Sequence, residues 1–148
     1  MGLFNSLNIS GSALTAQRLR MDVASSNMAN AETTRSQMVD GQWQPYRRKM
    51  VVLQPQGTEF KAMLAHAQTS DKFSGVRASA VVEDDQPFKL AYQPDHPDAD
   101  AQGYVRLPNV DPLKEMVDLM SATRSYEANV TVMNAAKGMY MKALEIGR

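Results

Sequence analysis

All seven prolines of this 148-residue chain fall between Pro45 and Pro112, and the first 44 and last 36 residues contain none. A proline inside a helix removes a backbone hydrogen bond and clashes with the preceding turn, at a cost of about 3 kcal/mol or more. The distribution therefore separates two ends that tolerate long helices from a middle that does not. It predicts an α+β protein. Residues 1–40 and 105–148 form long helices paired in a coiled-coil-like unit, and 41–104 form a small β-rich insertion with an extended loop.

The N-terminal end carries Leu7, Leu14, Met21 and Met28 at intervals of seven. A seven-residue apolar repeat is the signature of a coiled-coil seam. Ser10 and Gln17 stand where a second apolar position belongs, and Gly11 with several Ser and Asn residues lowers helix propensity. The expectation is a helix from about residue 5 to 30 that is marginal by itself.

The C-terminal helix has a defined start. Asp111 is suited to the N-cap and Pro112 to the first helical position, where its missing N–H costs nothing. Glu115 lies in the first turns, where the helix dipole favours a negative charge. Steps of three and four then connect Met116, Leu119, Thr123, Tyr126, Val130, Met133, Lys137, Tyr140 and Leu144. Apart from Thr123 and Lys137 these are large and apolar, which marks an amphipathic helix. Some 36 residues would reach about 54 Å, more than a compact domain of this size can cover. The surplus apolar face points to neighbouring molecules. Leu14, Met21 and Met28 are expected to face Leu119, Tyr126, Val130, Met133 and Tyr140. Asn27, Asn30, Asn129 and Asn134 are candidates for polar contacts that fix register. Met116, Met120, Met133, Met139 and Met141 load this helix with adaptable side chains, as a core or as a surface meeting unlike neighbours.

In the middle, "YRRKMVVLQ", "FSGVRASAVVED" and "FKLAYQ" read as strands punctuated by Gly, Pro and Asp. "TEFKAMLAHAQTSD" fits a helical turn or a loop equally, and "QPDHPDADAQGY" reads as an exposed extended loop.

Charge and chemistry narrow the function. Net charge is zero, with 3 basic and 3 acidic residues in 1–40, 7 and 8 in 41–104, and 6 and 5 in 105–148. Nothing draws nucleic acid by bulk charge. The absence of cysteine removes disulfides, thiolate metal sites and cysteine nucleophiles. No phosphate-binding loop, dinucleotide fingerprint, nucleophile elbow or zinc-protease motif occurs, so no cofactor and no catalytic residue is expected. His96 among Asp95, Asp98 and Asp100 reads as a solvated turn more readily than as a cation site, because Pro94 and Pro97 stiffen it. Tyr46 to Lys49 reads as a solvated strand face or interface edge, and Glu83 to Asp85 as a charged turn. No cleavable secretion signal and no membrane-spanning run is expected. What remains is a structural or binding protein; the alternative to self-assembly is a helical adaptor or chaperone-like module with a Met-rich face.

Several stretches are similar to flagellar basal-body rod proteins. "SALTAQRLRMDVASSNMANAETT" resembles that family's N-terminal signature, with Asn27, Ala29, Asn30 and Thr33 on its Asn-x-x-Asn-x-x-Thr core. "GQWQPYRRK", "YQPDHPDADAQGYVRLPNVDPLKEMVDLMSATRSYEANV" and "KALEIGR" resemble the proximal-rod group within it. The resemblance implies an axial component, with no enzymatic activity, that stacks helically into the rod, transmits torque and encloses the export channel. It implies partners: further copies, other rod proteins, proteins near the membrane ring and export gate, and the flagellar type III export apparatus. It places the protein in the basal body within the periplasmic space, exported without a cleaved signal. Subunit packing would then fall on Leu7, Leu14, Met21, Asn27, Met28, Asn30, Met116, Leu119, Tyr126, Asn129, Val130, Met133, Tyr140 and Leu144.

Overall fold

The computed structural model describes residues 5–39, 41–56 and 75–147. The 58–71 stretch, whose reading as turn or loop stayed open, lies outside them. Two helices dominate. α1 spans Asn5–Ala29 and α2 spans Pro112–Ile146. Between them come β1 (Gln37–Val39), β2 (Gln42–Gln44), β3 (Lys49–Pro55), β4 (Val76–Glu83), β5 (Lys89–Tyr92) and β6 (Tyr104–Leu107). They form three separate antiparallel pairs, β1–β2, β3–β4 and β5–β6. The β1–β2 pair straddles the residue-40 boundary.

α2 begins as its sequence dictates. The Asp111 carboxylate accepts the Leu113 N–H at 3.1 Å, and Pro112 opens the helix. α1 ends in a polar knot. Asn30 Nδ2 donates to the Ser26 carbonyl at 2.9 Å, and Thr33 Oγ1 donates to Asn30 Oδ1 at 3.3 Å. The side chain thus adds a second donor to a carbonyl that already accepts the Asn30 backbone N–H at 3.1 Å. The Thr33 carbonyl then accepts the Tyr46 N–H at 3.0 Å, turning the chain towards the strands.

The helices run antiparallel. The Ser6 and Tyr140 hydroxyls meet at 3.2 Å, Thr123 Oγ1 donates to Met21 Sδ at 3.4 Å, and Asn27 bonds Glu115. The centre of their seam is built from small residues. Ala122 is 0% and Ala136 3% exposed, against buried Ser10, Ala16 and Ala24 on α1. Glu115, Ala122, Asn129 and Ala136 recur every seven residues, so the internal seam does follow a heptad. Its axis lies one residue away from the stripe of large side chains. Small residues let two backbones approach closely, while Leu119, Tyr126, Met133 and Tyr140 flank the contact half-buried.

The β3–β4 ribbon lies along α1. At its far end the Val76 N–H donates to Ser12 Oγ at 3.1 Å. A Cβ on Gly75 would collide with that oxygen, so a larger residue there would displace the Ser12 side chain from its bond to Val76. α2, with 35 residues, is about 52 Å long against about 37 Å for α1. Both helices start or end at the same junction, so the last turns of α2 run past Asn5, with Leu144 and Ile146 72% and 85% exposed.

Candidate functional site

The helix pair meets the strands at a buried polar junction centred on Asn27. This side chain is 1% exposed. Its Nδ2 donates to the Lys49 carbonyl at 2.8 Å and to Glu115 Oε2 at 2.9 Å. Its Oδ1 accepts from the Tyr46 hydroxyl at 3.0 Å and the Lys49 N–H at 2.9 Å. Two acceptors face the nitrogen and two donors face the oxygen, so only one amide orientation fits.

Glu115, also 1% exposed, takes a charge-assisted bond from Arg48 Nε at 2.5 Å. The Arg48 guanidinium further approaches Asp118 at 3.4 Å and Asp84 at 3.6 Å. Burial alone pulls the Arg48 pKa down. The hydrogen bond to Glu115 and the charges of Glu115, Asp118 and Asp84 outweigh it and hold the guanidinium above its ordinary value. Asn109 completes the junction. Its Oδ1 accepts the Arg48 N–H at 2.8 Å, and its Nδ2 donates to the carbonyls of Asp84 and Gln86 at 3.1 and 3.2 Å. Among the described residues no buried side-chain nitrogen or oxygen lacks a partner. One cluster thus fastens the C-terminal end of α1, the start of α2 and the segments flanking β3, β4 and β6.

Two sequence readings need correction here. Tyr46 and Arg48 are buried, not a solvated face, because Asn27 and Glu115 offer them partners. Asp84 is likewise buried, and its Oδ1 accepts the Gln86 N–H at 3.0 Å. Sequence reading missed Arg48, Asp84, Asn109 and Glu115 as a set. The available signal was Glu115 itself, a carboxylate in register with Ala122 and Ala136 that requires a cation.

The acidic loop has a second fastening. Thr34 Oγ1 and Arg35 Nε each donate to Asp98 at 2.7 Å, and Arg35 also ion-pairs with it. Asp100 Oδ1 accepts the N–H groups of Gln102 and Tyr104 at 2.8 and 2.9 Å. The bonds from Arg35 and then Thr34 hold the Asp98 pKa below its usual value. A carboxylate with a depressed folded pKa stabilises the fold above the unfolded pKa of about 3.9, and that contribution is lost as pH falls through the folded value. A carboxyl-carbon NMR titration is expected to show Asp98 titrating below the ordinary carboxylate range, and Arg35→Ala to raise that midpoint.

The expected packing residues divide by environment. Leu7, Leu14, Met21, Met28, Asn30, Leu119, Tyr126, Asn129, Val130, Met133 and Tyr140 are half-buried, while Met116 and Leu144 are exposed. Asn129 Nδ2 bonds its own helix at the Ser125 carbonyl, 2.8 Å away, and Asn134 is exposed. α2 also bears an apolar stripe that the rest of the described chain leaves open. It comprises Leu113, Val117 and Met120, then Ala128, Val132, Ala135, Met139 and Ile146, all exposed.

Comparison with known proteins gives two family matches. Residues 7–36 match the model described as Flagella basal body rod protein. Residues 101–146 match Flagellar basal body rod FlgEFG protein C-terminal. The chain is 61% identical over 150 residues to the flagellar basal-body rod protein FlgC of Bacillus subtilis (strain 168), covering 100% of both. It is 47% identical over 148 residues to that of Escherichia coli O6:H1, again covering 100% of both. With that of Borreliella burgdorferi it shares 44% over 153 residues, covering 99% of this chain and 98% of the relative.

Proposed function

Since this chain belongs to the flagellar basal-body rod protein family, a structural subunit of the flagellar basal body, we propose that it polymerises with related axial proteins into the proximal rod. There it transmits torque and helps enclose the export channel. Its partners are further copies, other rod proteins and basal-body proteins near the membrane ring and export gate. It reaches the periplasmic rod through the flagellar type III export apparatus without a cleaved signal.

The observation that carries this reading is the open stripe on α2. Ala135 and Ile146 are eleven residues apart and Leu113 lies twenty-two before Ala135, with the exposed Arg124 interrupting the stripe between them, and Val117, Ala128 and Met139 are also eleven apart. Eleven residues make close to three turns, so the stripe stays near one face along the helix. A neighbouring helix can lie against it over tens of ångströms, as a torque-bearing stack requires. Met116 and Leu144 border this surface. The half-buried residues of the inner seam complete subunit packing by keeping α1 and α2 paired. Side chains interdigitating along a long, nearly axial contact resist twist better than a small patch. A helix as unfavourable in composition as α1 orders fully only when neighbours cover it.

Two variants test this. Val132→Asp and Met139→Asp each put a charge on the stripe and leave the inner seam alone. The purified subunit is expected to keep its circular dichroism spectrum, while motility in soft agar falls to background and the subunit disappears from isolated basal bodies. Normal motility with both changes combined would show that the stripe is not the packing surface.

A further inference from the structure

We infer that the groove between the β1–β2 and β5–β6 hairpins is a saccharide-binding site that takes the flat face of a pyranose ring. The groove holds about 380 Å³ and is lined by Trp43, Pro45 and Tyr104 together with Gln42, Asp100 and Arg106. That volume suits a small ligand. Two features separate it from the rest of the surface.

The first is an exposed aromatic platform. Trp43 is 53% and Tyr104 42% exposed, and Tyr104 is braced edge-on by Tyr92, with centroids 5.4 Å apart. About half of the Trp43 side chain stays open to solvent. Its ring presents a negative face that suits the weakly positive axial C–H groups of a pyranose.

The second is a set of polar groups with spare hydrogen-bonding capacity around that platform. The Gln42 amide, the Trp43 indole N–H and the Tyr104 hydroxyl make no hydrogen bond with any described residue, while the Arg106 guanidinium makes none either but lies close enough for its charge to favour the ionised Asp100 carboxylate. Asp100 uses one oxygen for two backbone N–H groups and retains acceptor capacity. The rim thus offers donors and acceptors together, which matches hydroxyls that need both. An apolar helix would leave these groups unpaired, and a cationic peptide would meet Arg106. The frame is rigid, because the Thr34 and Arg35 bonds to Asp98 pin the acidic loop to the segment before β1. Little ordering remains to be done on binding.

Trp43 is the only tryptophan in the chain, so its fluorescence reports this groove alone. The full chain is titrated with cellobiose, with N,N′-diacetylchitobiose and with a proline-rich decapeptide. A saturable blue shift with a disaccharide, at roughly millimolar dissociation constant, is expected. Gln42→Ala and Arg106→Met should each weaken it at least tenfold with unchanged far-ultraviolet circular dichroism. Preference for one disaccharide tells a plain glucan from an N-acetylhexosamine oligomer. No saturation with either sugar, saturation indifferent to both variants, or a response to the decapeptide alone overturns the inference. Rod incorporation enters neither readout, so this result stands apart from the packing test.

Discussion

Replacing Arg48 by Met lowers the free energy of unfolding by about 3–5 kcal/mol, the cost of leaving a buried charge without its partner. Among the described residues Glu115 then keeps only the Asn27 amide as a direct hydrogen-bond donor to its carboxylate, at 1% exposure. Asp84 and Asp118, now without the guanidinium, add like charge close by. Against a total stability of about 5–15 kcal/mol for a domain, such a loss is severe. Urea denaturation followed by circular dichroism measures it. The double variant Arg48→Met, Glu115→Leu removes both charges together and should recover most of the loss, since buried pairs are often replaceable by apolar groups at little net cost. A single variant that costs less than about 1 kcal/mol would mean the Glu115 carboxylate is solvated.

The change Asn27→Asp is nearly isosteric, yet it should cost about 3 kcal/mol or more at neutral pH. It replaces the Nδ2 donor with an oxygen 2.9 Å from Glu115 Oε2 and 2.8 Å from the Lys49 carbonyl. Two carboxylates at that distance cannot both stay ionised, so the pair shares a proton and one pKa is raised. A group whose folded pKa is raised favours the fold below its unfolded pKa, and that contribution is lost as pH rises through the folded value. The variant should therefore close the gap to the parent chain as pH falls towards 5. Asn27→Leu, which cannot titrate, should keep a constant deficit over the same range. Parallel pH profiles for the two variants would show that carboxylate repulsion is not the cause.

Local rules made the outline legible. Proline placement separated α1 and α2 from β3 to β6 but missed β1 and β2, which lie in the proline-free first 44 residues, and Asp111 with Pro112 located the start of α2. The α1 limits came from the apolar repeat. The internal seam was harder to read, because ranking residues by size selects Leu119, Tyr126 and Met133. Close backbone approach selects Ala122 and Ala136 instead, and no single helix reveals how near its partner will come. The polar junction was legible only at Asn27. Arg48 and Glu115 are separated by 67 positions, and each taken alone has an ordinary explanation, as a strand-edge charge or a dipole-favoured glutamate. The β1–β2 hairpin, with Gly41 at φ +78°, went unread because its strands of three residues carry too little pattern to register.

The bond between Asn27 and Glu115 joins positions 88 residues apart. Contacts of such large sequence separation are slow to form, because a long loop is closed before they contribute. For a chain that emerges from the ribosome N-terminus first, α1 waits without its partner until most of the polypeptide has appeared. The order of emergence thus acts as a timer. The lock closes only once the last quarter of the chain, which carries Glu115, has left the ribosome.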